Sequence, residues 1–222
     1  TTGTGLYYPT APRLGDGVTS PTGWWVRSSS TDLYAPVEQL TYNDQAVTSL
    51  SAAQGYLQVA TGDREEPVRG TDFTLLFAVG APLNAQLRVV SASDEGSYAR
   101  YVTEWSADGK DSWSSFCPHP YVDRSGVSTT LLEHMIPVGG AKWGLNGSRV
   151  DDSAAIQLSC THDMIGGCVR WRLPPWQSEI GADGTAVSLQ DWHQACTRMK
   201  RNDICGTGDP STGCATYRPI CT

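Results

Sequence analysis

Beyond Val59 the pattern of apolar and polar positions sharpens into strands, in places with the period of two that turns one face to a core. The clearest case is Ala154 to Cys160. Ala154, Ile156, Leu158 and Cys160 share one face, while Ala155, Gln157 and Ser159 share the other, so the Cys160 sulfur points inward. Thr71 to Val79 predicts a mostly apolar strand, Gln86 to Ser91 an alternating one, and Tyr98 to Trp105 an aromatic and branched one. Ala107-Asp108-Gly109-Lys110 predicts a hairpin turn toward Trp113. Cys168 to Leu173 reads as the strand returning from Cys160, with Gly166-Gly167 in the connection.

One segment departs from the period of two. Ser188 is a suitable helix N-cap, with Asp191 three positions on, and Leu189, Trp192, Cys196 and Met199 then recur at helical spacing as an apolar stripe. Asn202 and Asp203 end that helix. The first forty residues are rich in Thr, Ser, Gly, Pro and Tyr and read as an extended arm with turns around Pro9, Pro12 and Pro21. The stretch from Gly206 to Gly213 is turn chemistry between Cys205 and Cys214. The expected fold is therefore mainly β. Residues 1–40 form an arm, and residues 41–222 form a single β-sandwich-like, disulfide-stabilised domain with one C-terminal helix and a disulfide-stapled tail.

Composition narrows the function classes. The chain has 222 residues, 39% apolar and only 18% charged, below the roughly 25% charged residues usual in globular proteins. Its formal net charge of −7 argues against a nucleic-acid partner and against docking on an anionic membrane, both of which need a basic footprint. The longest apolar run, Leu75 to Leu83, is interrupted by Gly80 and Pro82 and is too short to span a bilayer. The chain opens Thr1-Thr2-Gly3-Thr4-Gly5, so export implies a leader already removed.

Seven cysteines change the picture more. Cys160, Cys168, Cys196, Cys205, Cys214 and Cys221 fall in the last third, with Cys117 upstream, and no CxxC spacing suggests zinc. Such density points to disulfides and an oxidising compartment, so a secreted protein, extracellular or on a cell surface. Local spacing favours Cys160–Cys168 as a hairpin staple, Cys214–Cys221 as a tail closure, and Cys196–Cys205 next. Cys117 is then left as a free thiol or as a bridge to another chain.

The second half of the chain carries a resemblance. Cys160-x7-Cys168-Val169-Arg170-Trp171, Pro175-Trp176, His193-Gln194-Ala195-Cys196-Thr197-Arg198-Met199 and Arg201-x-Asp203-x-Cys205-Gly206 resemble the ADYC-domain family. Trp113-x3-Cys117 and Ile136-Pro137-Val138-Gly139-Gly140-Ala141-Lys142-Trp143 are similar to its pattern upstream, so the likeness spans about residues 113–206. The resemblance implies a secreted bacterial protein, of a kind typical of myxobacteria and their relatives. It implies a scaffold and a compartment rather than a reaction.

Candidate chemistry is sparse. His193 and Cys196 stand three apart on the expected helix and would suit a nucleophilic pair. Cys196, however, shares the apolar stripe, and a catalytic thiolate needs exposure and positive surroundings, so no catalytic residue is assigned. His119, His134 and His162 lack ligand spacing to one another, and neither a metal nor a cofactor is expected. Adjacent Asp151 and Asp152 could enter a glycosidase or calcium site but read more simply as turn residues. No G-x-S-x-G, H-E-x-x-H or P-loop sequence occurs. Eight tryptophans and nine tyrosines are the main binding signal. Trp24 and Trp25 are the candidate binding pair, while Trp105, Trp171, Trp176 and Trp192 are expected in the core. Asn146-Gly147-Ser148 is an N-glycosylation sequon and marks a surface loop.

These readings converge on a non-catalytic extracellular structural protein, a subunit of a surface or filamentous assembly. Self-association would run through the arm, Thr1 to Tyr8, added as a strand to a neighbour's sheet, or through a shared bridge. A secreted module binding glycans or the cell envelope is the alternative, and a secreted hydrolase comes third.

Overall fold

The computed structural model describes residues 5–7, 24–27, 37–71, 74–79, 85–107, 112–122, 128–132, 134–143, 149–161 and 164–200. The first strands are β1 (Gly5–Tyr7), β2 (Trp24–Arg27), β3 (Val37–Tyr42), β4 (Gln45–Ala46), β5 (Ser49–Ala53), β6 (Tyr56–Thr61) and β7 (Arg64–Pro67). They are followed by β8 (Leu75–Val79), β9 (Ala85–Asp94), β10 (Ala99–Ala107), β11 (Ser114–Ser115), β12 (Pro118–Val122) and β13 (Ser128–Leu132). Last come β14 (Met135–Trp143), β15 (Arg149–Cys160), helix α1 (Met164–Arg170), β16 (Ser178–Ile180), β17 (Ala186–Ser188) and helix α2 (Gln190–Lys200).

A 10-stranded sheet dominates, in the order β1-β2-β15-β14-β10-β9-β8-β3-β4, with β11 beside β10. Strands β5, β6 and β7 form a second sheet, and β12–β13 and β16–β17 are separate hairpins. The fold is mainly β, as the alternation predicts. Residues 5–7 and 24–27, which sequence reading placed in the arm, are strands of the large sheet: Gly5 to Tyr7 pair with Arg27 to Trp25, and β2 pairs with β15.

Strand β15 shows how the layers stack. Ile156, Leu158 and Cys160 join Leu50, Leu57 and Val59 of the small sheet in one core cluster. The opposite face carries Ala155, Gln157 and Ser159, and it too is buried. That face is covered by the helices, where the Ser159 hydroxyl accepts a hydrogen bond from the Gly166 amide at 2.9 Å. A second cluster of Ile136, Val138, Ala141, Trp143, Ile165 and Val169 fills the space between β14 and α1. The arrangement is a sandwich of two sheets with a helical layer on the outer face of the larger one. Each fully buried Leu, Ile or Val stabilises it by about 1.5–3 kcal/mol.

Tyr101 ties the two sheets together. Its hydroxyl accepts from the Leu57 amide at 2.9 Å and donates to the Val68 carbonyl at 3.0 Å, both buried.

The helical layer holds two helices rather than the one expected. Residues 164–170 form α1 where a strand was expected from Cys168 to Leu173. Ile165, Cys168 and Val169 lie three and four apart and bury one helical face, a pattern that a short apolar run shares with a strand. The second helix starts as its cap predicts, with the Ser188 hydroxyl accepting from the Gln190 amide at 3.2 Å. No helix among the described residues is long and apolar enough to cross a membrane.

Candidate functional site

The described cysteines pair across the fold rather than along it. Cys117 is bonded to Cys160 and Cys168 to Cys196. Cys117, expected as a free or intermolecular thiol, is instead buried beside Cys160 in the main core. The segment following β11 is held against β10 by the Phe116 amide, which donates to the Thr103 carbonyl at 2.9 Å. The expected Cys160–Cys168 staple is absent because the chain between the two cysteines turns into α1, which directs Cys168 toward α2. Cys196, expected to bridge Cys205, therefore meets Cys168. Cys205, Cys214 and Cys221 lie outside the described residues, as do Asn146 and His162.

The second bridge removes the Cys196–His193 pair from nucleophilic chemistry. Cys196 is oxidised and His193 is fully buried. The His193 Nε2 faces the Ile165 carbonyl at 3.2 Å, which fixes it as the protonated nitrogen, since a carbonyl can only accept. Its Nδ1 has no partner. Burial pushes its pKa down to about 4, the Arg149 charge pushes the same way, and the hydrogen bond to Ile165 opposes both. His193 is thus a neutral packing group. It stands edge-on to Trp143, whose indole N–H donates to the Gln194 side-chain oxygen at 2.8 Å.

Beyond this cluster a cleft of about 120 Å³ opens, lined by residues 139–141 and by Trp143, Arg149, Pro175 and Trp176. A bulge between β14 and β15 builds it. Ile136 and Val138 face the helical layer, and so do Ala141 and Trp143, although the parity has changed. Gly140, at φ +80, sits in the register break between Gly139 and Ala141, where that one residue faces residues 152–155 of β15. Strand β15 advances five positions where β14 advances two, an odd mismatch that changes which parity of β14 faces the helices, and past it Trp143 lies under α2. Gly139 meanwhile presses on the small sheet: a Cβ there would stand 2.1 Å from the Ala52 carbonyl oxygen.

Past the bulge, Trp143 lies opposite Arg149 and Ala141 opposite Asp151 in the β14–β15 ladder. Arg149 keeps only 18% of its side chain exposed and pairs with Asp151 at 2.5 Å. Its guanidinium lies 5.8 Å from the Trp143 ring centroid, and its Nε is buried without a partner. Across the cleft the Trp176 indole N–H donates to the Ser97 carbonyl at 3.2 Å, which leaves the ring surface to line the opening.

The sequence singled out other residues. Trp24 and Trp25 lie on β2, in backbone register with Leu158 and Gln157. Trp105 and Trp176 pack against the two clusters, but Trp171 and Trp192, expected in the core, are 57% and 59% exposed. Ile180, Val187 and Met199 are exposed as well, so among the described residues the large apolar side chains open to solvent concentrate in residues 171–199. Asp151, one of the adjacent carboxylates, is held by Arg149. Among the described residues, no cluster of His, Cys, Asp and Glu is arranged to hold a metal ion. Sequence reading missed Arg149 because its meeting with Trp143 depends on hairpin register, which no local motif encodes.

No curated protein and no solved structure matches the chain. The model of one protein family, the ADYC domain, matches residues 67–217. That stretch begins upstream of the motifs that carried the resemblance and takes in β8 to β17, both helices, both described disulfides and every residue of the cleft. The chain belongs to the ADYC domain family.

Proposed function

We propose that the protein is an exported, non-catalytic structural protein, a subunit of a surface or filamentous assembly. The observation that carries this reading is the concentration of exposed Trp171, Ile180, Val187, Trp192 and Met199 on the helical layer and its hairpin. Large apolar side chains left in water favour association, and aromatic and methionine side chains are preferred in the buried centres of interfaces. The two buried disulfides support the compartment. Strand β1 ends the large sheet, which is where a neighbour's strand would add. Sedimentation and electron microscopy of the purified protein test this. Polymers are expected, weakened by Trp192→Ser with Met199→Ser, and shortened by removing residues 1–7 if strand addition contributes. A monomer that persists as concentration rises overturns the reading.

A second reading, a secreted module that binds glycans or the cell envelope, is favoured by the cleft between Arg149 and Trp176. Aromatic rings offer flat apolar faces that suit the C–H faces of sugars. Binding to a glycan array, lost on Trp176→Ala and kept on Trp24→Ala and Trp25→Ala, would place recognition in this cleft. No binding to any glycan removes the reading.

A further inference from the structure

We propose that the cleft beside Arg149 takes the carboxylate of a uronate unit in an acidic polysaccharide. This rests on the second reading above and deepens it. The argument begins with the cation. In a chain of net charge −7, Arg149 sits at a cleft whose other side chains are Trp143, Pro175, Trp176 and Ala141. An arginine with about four-fifths of its side chain covered is drawn to an anion that can accept from its planar fork. Its partners are the Gln190 side-chain oxygen, which accepts from both terminal nitrogens, and Asp151, at 2.5 Å and 75% exposed. Because that carboxylate stands mostly in water, exchanging it for a ligand carboxylate costs little.

Size and charge then choose the ligand. About 120 Å³ holds the equivalent of roughly four liquid waters, enough for a carboxylate and the edge of a ring rather than a whole sugar. One cation pairs with one carboxylate, whereas a phosphate dianion would bring a second negative charge beside Asp151. The aromatic lining asks that the anion be attached to a body with an apolar face. A pyranose carrying a carboxylate supplies both.

Isothermal titration of the full chain with trigalacturonate, triglucuronate and trimannuronate, each beside its neutral methyl ester, tests the inference. Saturable binding of at least one acid form is expected, weakened tenfold or more by esterification and by Arg149→Met. Arg149→Lys should recover part of it. Asp151→Asn removes the competing carboxylate without touching the cleft lining, and it should tighten binding several-fold whether or not the Arg149 variants fold. Equal binding of acid and ester, or an unchanged Asp151→Asn variant, overturns the carboxylate assignment while leaving glycan binding intact. Binding of hexa-aspartate as tightly as the uronates overturns the sugar half. No binding to any uronate, together with an array positive for neutral sugars, overturns this inference alone. A blank array overturns both it and the reading beneath it.

Discussion

The imidazole of His193 stands edge-on to the indole of Trp143, with 5.5 Å between ring centroids and 63° between planes. Through that contact α2 is seated on the bulged end of β14, and the cost of charging the ring becomes a property of the whole helical layer.

The pH dependence follows. His193 is pushed down to about 4 in the folded protein, against an ordinary value of 6.5. The unfolded chain therefore binds a proton that the folded one refuses between these values, so stability rises with pH across that window and is fully present above it. The difference corresponds to about 3 kcal/mol, lost as pH falls from 6.5 toward 4. Denaturant midpoints of the wild type and His193→Gln should diverge above pH 6.5 and converge at the acid end. A constant gap between them would contradict the assignment.

Tyr101→Phe removes one hydroxyl but strands two buried backbone groups, the Leu57 amide and the Val68 carbonyl. A loss of about 2–3 kcal/mol is expected in chemical denaturation. Amide exchange at Leu57 should accelerate, because its acceptor lies on the other sheet.

The two glycines of the bulge should differ in kind. Gly139→Ala forces a Cβ onto the Ala52 carbonyl oxygen and should cost about 1–3 kcal/mol or more as the sheets part. Gly140→Ala meets no neighbouring atom and carries only the roughly 1–2 kcal/mol penalty of a left-handed conformation. Thermal unfolding of both variants should place Gly139→Ala below Gly140→Ala.

Opening the Cys168–Cys196 bridge, which spans 28 residues, should cost about 3–4 kcal/mol in the chain-entropy account. A Cys168→Ala/Cys196→Ala variant is the test, read by denaturant midpoint. Unreduced peptide mapping should recover Cys117 with Cys160 and Cys168 with Cys196.

How far the sequence could be read varies with the kind of interaction. The inward face of β15 was legible because alternation sets it directly. Helix α2 was legible as a helix, but its buried face was misplaced by part of a turn. The apolar residues Trp192 and Met199 suggested one stripe, yet the structure buries Leu189, His193, Cys196 and Thr197. Hydropathy cannot foresee that His193 meets the Ile165 carbonyl or that the Thr197 hydroxyl donates to the Gln194 carbonyl. The disulfide pattern was illegible for a related reason: nearness in sequence favours local loops, whereas the bonds follow strand and helix packing. The cleft depends on a bulge and on cross-strand register, and both are settled only when the sheet assembles.

The two bridges have a mechanical consequence. Tension applied between Cys117 and Cys196 bypasses the 43- and 28-residue loops that the bonds close and runs through the short stretch from Cys160 to Cys168. Fully drawn out, that stretch spans at most about 26–29 Å end to end. Pulled at these points, the domain would behave as a nearly inextensible link, letting out little slack before a covalent bond carries the load.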